Sequence, residues 1–157
     1  MDTLQILRSL RDSFVENGHE EAVLVTKDSG KADTDVLVTL HRSFGRLSEE
    51  VQGLFYFSED SGMPLFICRL ILGEDLPDDA VLPICTEIAL LNPTLPFGAF
   101  AFDPLSAGVE YTFQLPVDES RTEKELLAEA DMCAALSLSV AELNVHTLQE
   151  IIGSYGV

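Results

Sequence analysis

The sequence predicts an α+β domain with helices packed on an antiparallel sheet. Two observations lead to this fold class. Segments with strand character occur in a block of four and a block of two, and the connections within each block are too short to hold a crossover helix. Single helical segments precede, separate and follow the two blocks, which gives the order α-β-β-β-β-α-β-β-α without strict alternation of helix and strand.

Length and composition indicate one globular unit. The chain has 157 residues, of which 46% are hydrophobic and 23% are charged, a balance typical of proteins that bury a core. Neither a repeat nor a linker interrupts the sequence, so residues 1–157 are predicted to form a single domain.

A first helix is predicted over residues 3–17. Its apolar residues are spaced three or four apart and share one helical face: Leu4, Leu7, Leu10 and Phe14. Either Asp2 or Thr3 can supply the N-cap. Gly18 is placed to end the helix, because glycine readily adopts the left-handed conformation found after a last turn.

Four strands are predicted next, at residues 21–27, 35–42, 53–58 and 65–72. Asp-Ser-Gly and Glu-Asp-Ser-Gly sequences between them are typical of turns. The third and fourth strands are apolar at successive positions, so both of their faces are hydrophobic. Two interpretations follow: the terminal helices bury these strands from both sides, or one face is left for a second subunit or a partner.

A middle helix is predicted over residues 77–93, with one apolar face formed by Ile84, Ile88 and Leu91. Pro83 is compatible with this helix if it lies in the first turn, where a missing N–H costs little. The Asn92-Pro93 sequence then ends the helix.

Two further strands are predicted at residues 98–103 and 108–115, where large apolar side chains alternate with small or polar ones. One face of this hairpin is therefore expected to be buried and the other to be exposed to solvent. Thr122 and Glu125 then have the spacing of a capping box, which starts a C-terminal helical region. The helical pattern extends to Gly153, with a break expected near residues 137–139.

The charge of the chain excludes some partners and favours others. Nine Lys and Arg stand against 27 Asp and Glu, a net charge of −18, and residues 47–157 hold 19 of the acids but only three of the bases. Such a surface repels nucleic acid, whose phosphates must be neutralised by cations. The acidity is explained either by solubility alone or by attraction to a basic polypeptide.

The predicted location is the cytoplasm. The longest apolar stretch, residues 65–72, is far shorter than the roughly 20 residues of a membrane span. The first residues have neither the basic region nor the apolar core of a secretory signal. Three cysteines in apolar segments, Cys68, Cys85 and Cys133, fit buried thiols in a reducing compartment better than disulfides.

No motif in the sequence predicts a reaction, a cofactor or a metal site. Glycine-rich nucleotide loops and the G-x-S-x-G nucleophile motif are absent from the sequence. His19, His41 and His146 have no nucleophile or second ligand nearby in sequence. We therefore predict a protein that is not an enzyme, the alternative being a Cys–His pair that meets only in the folded chain.

The segment around the second strand block resembles a known superfamily. Ile88-Ala89-Leu90-Leu91-Asn92 leads into Phe97-Gly98-Ala99-Phe100-Ala101-Phe102-Asp103 and then into Val109-Glu110-Tyr111-Thr112-Phe113. A helix ending in Leu-x-Asn, a glycine-led apolar strand closing on Asp, a turn and an alternating strand are similar to those of the YbjN and class I type III secretion chaperone superfamily. The motif covers residues 70–115, and element order extends the resemblance to the rest of the chain, which has four strand candidates before the middle helix where the chaperones have three.

The resemblance implies a secretion-chaperone-like homodimer that binds protein. Chaperones of this type hold an extended segment of a secreted effector on apolar patches, whereas YbjN-like proteins have stress or regulatory roles and no secreted client. In the chaperones the middle helix lies at the dimer contact, which here implies Ile84, Ile88 and Leu91. Their client contacts involve the first helix and the sheet, which makes candidates of the following side chains: Leu7, Leu10, Phe55 and Phe57.

Overall fold

The computed structural model describes residues 1–18 and 21–155, so the candidate base His19 lies outside the described residues. The predicted fold class is confirmed: the described residues form four helices and one six-stranded antiparallel sheet. In chain order the elements are α1 (Thr3–Glu16), β1 (Glu21–Val25), β2 (Val36–Phe44), β3 (Glu49–Ser58), β4 (Leu65–Gly73), α2 (Asp78–Leu91), β5 (Ala99–Asp103), β6 (Gly108–Pro116), α3 (Glu123–Asn144) and α4 (His146–Ser154).

The sheet has the strand order β1-β2-β3-β4-β6-β5, so the first four strands form a meander and the last hairpin is added with β6 inside. Every neighbouring pair is antiparallel. The register aligns Leu37 with Phe55, Phe55 with Cys68 and Cys68 with Phe113, which places these side chains on the same face.

The helices pack on this one face. Helix α1 contacts β1, β2 and β3, helix α3 contacts β4 and β6, and α2 contacts the edge strand β5 and helix α4. Buried side chains from all four helices join those of the sheet in one apolar core, which includes Leu10, Phe55, Ile84, Ala134 and Leu148. The interpretation in which helices bury β3 and β4 from both sides is therefore wrong, because the N-terminal and C-terminal helices cover the same side.

Helix boundaries follow their capping residues. The Asp2 carboxylate accepts a hydrogen bond from the Gln5 N–H at 3.1 Å, which makes Asp2 the N-cap of α1. The Thr122 hydroxyl accepts one from the Glu125 N–H at 3.2 Å and donates to the Glu125 carboxylate at 3.1 Å, so the predicted cap of α3 is confirmed. The C-terminal region is two helices, but it breaks at Val145 and not at residues 137–139, where Ser137 is buried.

A position in the first turn of α2 was expected for Pro83, but the proline is the sixth residue of the helix. A proline there offers no N–H to the carbonyl four residues earlier, which belongs to Asp79. The Tyr155 hydroxyl, just after α4, donates to that carbonyl oxygen at 3.1 Å. A contact between α4 and α2 therefore replaces the helical hydrogen bond that Pro83 removes.

The prediction that all three cysteines are buried is wrong for Cys85, whose side chain is exposed on α2. Cys68 and Cys133 are buried as predicted.

Within residues 1–18 and 21–155, no helix has the length and hydropathy needed to cross a bilayer.

Candidate protein-binding surface

The side of the sheet opposite the helices carries an apolar surface on its first four strands. Because side chains alternate along a strand, residues one position away from the buried ones point to this side. In the paired registers they form adjacent rows across β1 to β4. We call this surface the uncovered face; its members are Val23, Val25, Val36, Val38, Leu40, Leu54, Tyr56, Ile67 and Ile71.

The uncovered face is separate from the apolar core. None of its nine side chains belongs to the core cluster or packs against it among the described residues, whereas their strand neighbours Leu24, Phe55 and Cys68 do. Val23 on the edge strand is 60% exposed, and most of the others are half-buried by one another. Ile67 is only 7% exposed although no described helix lies over it, because adjacent strands crowd it on both sides.

The dimensions of the uncovered face suit a binding surface. Four strands at about 4.8 Å spacing and three rows of side chains cover on the order of 300 Å². Nine of these twelve positions are apolar, and the other three are Glu21, Gln52 and Arg69. Contiguous apolar patches of this size on soluble proteins are often interaction sites. A depression at its β4–β6 side, lined in part by Leu54 and Ile71, holds about 130 Å³, which is less than the roughly 300 Å³ or more of a small-molecule pocket.

Charged side chains border the uncovered face and pair with each other. At the β4–β6 side, Arg69 donates two hydrogen bonds to the Glu110 carboxylate, and this contact raises the pKa of the guanidinium. Near the end of β2, Arg42 forms ion pairs with Glu21 on β1 and with Glu50 on β3. The two guanidinium groups and the three carboxylates of these ion pairs leave the border with one negative charge in excess.

A second exposed apolar surface lies on α2. Leu82 is 77% exposed and Leu90 is 65% exposed, and between them Cys85 and Ala89 are exposed small side chains. We call these four residues the outer face of α2. A helix that is apolar on all sides is usually covered on all sides, so the outer face of α2 is a second candidate contact.

The structure places the predicted client-contact residues mostly inside the protein. Leu7, Leu10 and Phe55 have no exposed surface, and Phe57 is half-buried against the core. A partner does not reach the first three in this conformation. The first helix uses its only apolar stripe to cover β1, β2 and β3, which is why these residues face inwards.

The predicted dimer-contact residues lie on the inner side of α2. Ile84 is fully buried, and Ile88 and Leu91 are half-buried against the core. The residues that the helix presents outwards are Leu82 and Leu90. Sequence periodicity did not distinguish the two sides, because both are apolar.

The residues that carried the family resemblance hold the α2–β5 junction together. The Asn92 side chain donates to the Phe100 carbonyl oxygen at 2.9 Å and accepts from the Phe100 N–H at 2.8 Å. Asp103 accepts from the Leu105 N–H at 3.0 Å and the Ser106 hydroxyl at 3.1 Å, which shapes the turn before β6. These side chains therefore stabilise the fold at this junction.

The backbone conformation at position 98, in the same motif, requires a glycine. Its φ is +70°, and a Cβ placed there would lie 2.2 Å from the Tyr111 hydroxyl oxygen. The Tyr111 hydroxyl donates to the Phe97 carbonyl oxygen at 3.0 Å across this glycine. Burial raises the pKa of Tyr111 far above its usual value, so the phenol keeps its proton and this hydrogen bond.

A hydroxyl lies beside His41 and a carboxylate lies beside His146. His41 is 9% exposed and its Nε2 lies 2.8 Å from the Thr39 hydroxyl, itself 1% exposed. His146 lies 2.9 Å from the Glu150 carboxylate, one turn further along α4. Cys68 and Cys133 lie beside each other, with their sulfur atoms 3.7 Å apart.

A cleft of about 500 Å³ lies between β2 and α3 and brings His41, Arg42 and Glu142 to its walls. The Glu142 carboxylate accepts a hydrogen bond from the Gly45 N–H at 3.2 Å and so ties the β2–β3 turn to α3. Gly18 also borders this cleft, at the point where the described part of the chain is interrupted. Neither in this cleft nor in the rest of the described residues are three His, Cys, Asp or Glu side chains grouped as metal ligands would be.

No protein-family model matches the sequence, and no curated protein matches it.

Proposed function

We propose that this chain is a non-enzymatic protein-binding module that works as a homodimer and holds a polypeptide partner on the uncovered face. The observation that carries the proposal is the placement of all four described helices on one side of the sheet, which leaves nine apolar side chains of the other side without cover. The resemblance to secretion chaperones supports it, since those proteins hold clients on apolar patches.

The partner of the uncovered face is an extended segment with apolar and basic residues. An extended chain presents alternate side chains at the spacing of the sheet rows. At this border the three carboxylates of Glu21, Glu50 and Glu110 face only the two guanidinium groups of Arg42 and Arg69, so one negative charge is left to attract a cation. The net charge of −18 attracts such a partner at long range and weakens in salt.

The second copy of the chain is assigned to the outer face of α2. Residues 80–102 contain a single charged side chain, Glu87, which accepts a hydrogen bond from Thr147 at 2.7 Å. In a chain with a charge of −18, this neutral segment is where two copies approach with least repulsion. Cys85 and Ala89 are small enough for the two helices to pack closely.

Light scattering on the purified protein tests the dimer. At micromolar concentration we expect twice the chain mass for the wild type and for Leu143→Asp, which changes an 81% exposed leucine on α3. The double variant Leu82→Asp and Leu90→Asp is expected to have the mass of one chain, because four carboxylates would meet in the dimer. A wild-type protein with the mass of one chain would overturn the dimer.

Capture of partners from native lysate tests the uncovered face. Val38→Asp and Val23→Asp each place a carboxylate on it, and Leu143→Asp again serves as the matched control. We expect the wild type and the control to retain the same polypeptides, both uncovered-face variants to lose them, and added salt to weaken retention. Identical retention by all four proteins, with circular dichroism showing that all are folded, would contradict the proposal.

A second candidate is a YbjN-like regulatory protein without a secreted client. The four strands before α2, one more than in the chaperones, favour this function because the extra strand alters the sheet on which a client would lie. Gene order distinguishes the two, since a dedicated cytoplasmic chaperone is expected beside genes for its client and an export apparatus.

A further inference from the structure

Two cysteines that are far apart in sequence meet in the core. Cys68 lies in the middle of β4 on the helix side of the sheet, and Cys133 lies on α3 above it. Their sulfur atoms are 3.7 Å apart although 65 residues separate them. The two sulfurs are in van der Waals contact, and a disulfide bond would require them to approach from this distance to roughly 2 Å.

The two thiols differ in their surroundings. Cys68 has no exposed surface, and its neighbours in register are Phe55 and Phe113. Cys133 is 3% exposed and is therefore the residue of the pair that retains some contact with solvent. Burial raises the pKa of the Cys68 thiol, while the hydrogen bond from Cys68 lowers the pKa of the Cys133 thiol.

We infer that Cys68 and Cys133 form a reversible oxidation site, at which a hydroperoxide converts the two thiols into a disulfide that ties α3 to the sheet. The site goes beyond the proposed binding function and does not depend on it. Cys85 is no part of it, because that thiol is exposed on the outer face of α2.

The reaction has two steps and needs only the peroxide as oxidant. The Cys133 thiolate attacks one peroxide oxygen, the O–O bond breaks, and the released hydroxide or alkoxide takes a proton, leaving a sulfenic acid on Cys133. The Cys68 sulfur then attacks the Cys133 sulfur, the S–O bond breaks, and the hydroxide leaves as water with the Cys68 proton. Two thiols lose two electrons, and the peroxide accepts them.

The test uses hydrogen peroxide on the Cys85→Ser variant, which removes the exposed thiol and its intermolecular products. After stoichiometric treatment we expect the intact mass to fall by two hydrogen atoms and both thiols to become inert to alkylation in denaturant. A thiol reductant should restore both. Because the bond closes a long loop, the oxidised protein should melt roughly 5 °C or more above the reduced one.

Single variants in the same background separate the two roles. With Cys68→Ala, Cys133 should stop at the sulfenic acid and be trapped by dimedone, whereas with Cys133→Ala the buried Cys68 should remain a free thiol. The inference is overturned if both thiols stay alkylatable after peroxide treatment, or if Cys133 proceeds to sulfinic acid while Cys68 stays free. Circular dichroism of the Cys85→Ser protein before and after treatment ensures that a folded protein is being oxidised.

Discussion

The Arg69 guanidinium donates two hydrogen bonds, at 3.1 Å and 2.5 Å, to the same carboxylate oxygen of Glu110 across the β4–β6 pair. Arg69 is 30% exposed and Glu110 is 16% exposed, so the ion pair is partly removed from water. It forms the limit of the uncovered face: the apolar rows end at this pair, and the sheet beyond it is more polar. The pair therefore marks where the apolar surface of β1 to β4 gives way to the polar side chains of β6.

Removing one member of this pair should cost more than removing both. Arg69→Met leaves Glu110 half-buried without its cation, and we expect a loss of about 1–2 kcal/mol in the free energy of unfolding. The double variant with Glu110→Gln should regain most of that loss. Urea unfolding of the single variants and the double variant measures the coupling, and additive losses would show that the pair contributes nothing.

Asn92 should be needed for the α2–β5 junction. Asn92→Ala removes both hydrogen bonds to the Phe100 backbone, and a loss of about 2 kcal/mol in unfolding free energy is expected. Asn92→Asp keeps an acceptor for the N–H but opposes a carboxylate to the Phe100 carbonyl oxygen at neutral pH. Its deficit should shrink below about pH 5, where the protonated acid donates again. A deficit that does not change with pH would argue against the second hydrogen bond.

Gly98 and Gly62 make a matched pair of substitutions. Both have positive φ, +70° and +84°, but only Gly98 has described atoms within 4 Å of an added Cβ, the nearest being the Tyr111 hydroxyl oxygen. Gly62→Ala should cost about 1 kcal/mol, the price of the backbone conformation alone. Gly98→Ala should cost about 3 kcal/mol, because the hydroxyl must also move away from Phe97. Thermal unfolding of the two variants compares them, and equal losses would remove the steric argument.

The Tyr155 hydroxyl should matter only while Pro83 is present. Tyr155→Phe leaves the Asp79 carbonyl oxygen without its donor, for a loss of about 1 kcal/mol. In a Pro83→Ala background the helix supplies its own N–H to that carbonyl, and the same substitution should cost much less. Chemical unfolding of the four proteins in this cycle tests the replacement, and an equal cost in both backgrounds would contradict it.

The elements that sequence could predict are those with an unambiguous period. Helix α1 combines a clear apolar stripe with the Asp2 cap, and the strands β5 and β6 alternate strictly, so their limits agree with the structure within one or two residues. The start of β3 was missed because Glu49 and Glu50 are exposed and acidic, and only pairing with β2 brings them into a strand. The break at Val145 was missed because Ser137 reads as a helix breaker, yet is buried in the middle of α3.

The sequence indicates that β3, β4 and α2 are apolar on more than one side, but it does not indicate which side of each element is exposed. Strands β3 and β4 are apolar on both sides, so their pattern cannot say which side the helices take. The choice depends on tertiary contacts of α1 and α3, which the local sequence does not encode. The same ambiguity on α2 made Ile84 a predicted contact where the structure exposes Leu82. The approach of Cys68 to Cys133 is likewise visible only after folding.

The strand order has a consequence for biosynthesis. Strands β1 to β4 are neighbours both in sequence and in the sheet, so these hairpins can pair as the nascent chain leaves the ribosome. Helix α3, which covers β4, is translated only after another fifty residues or so, as residues 123–144. During that interval α1 can lie over β1, β2 and β3, but β4 lacks the helix that covers it and is apolar on both sides, and this is the stage at which the nascent chain has most need of protection from aggregation.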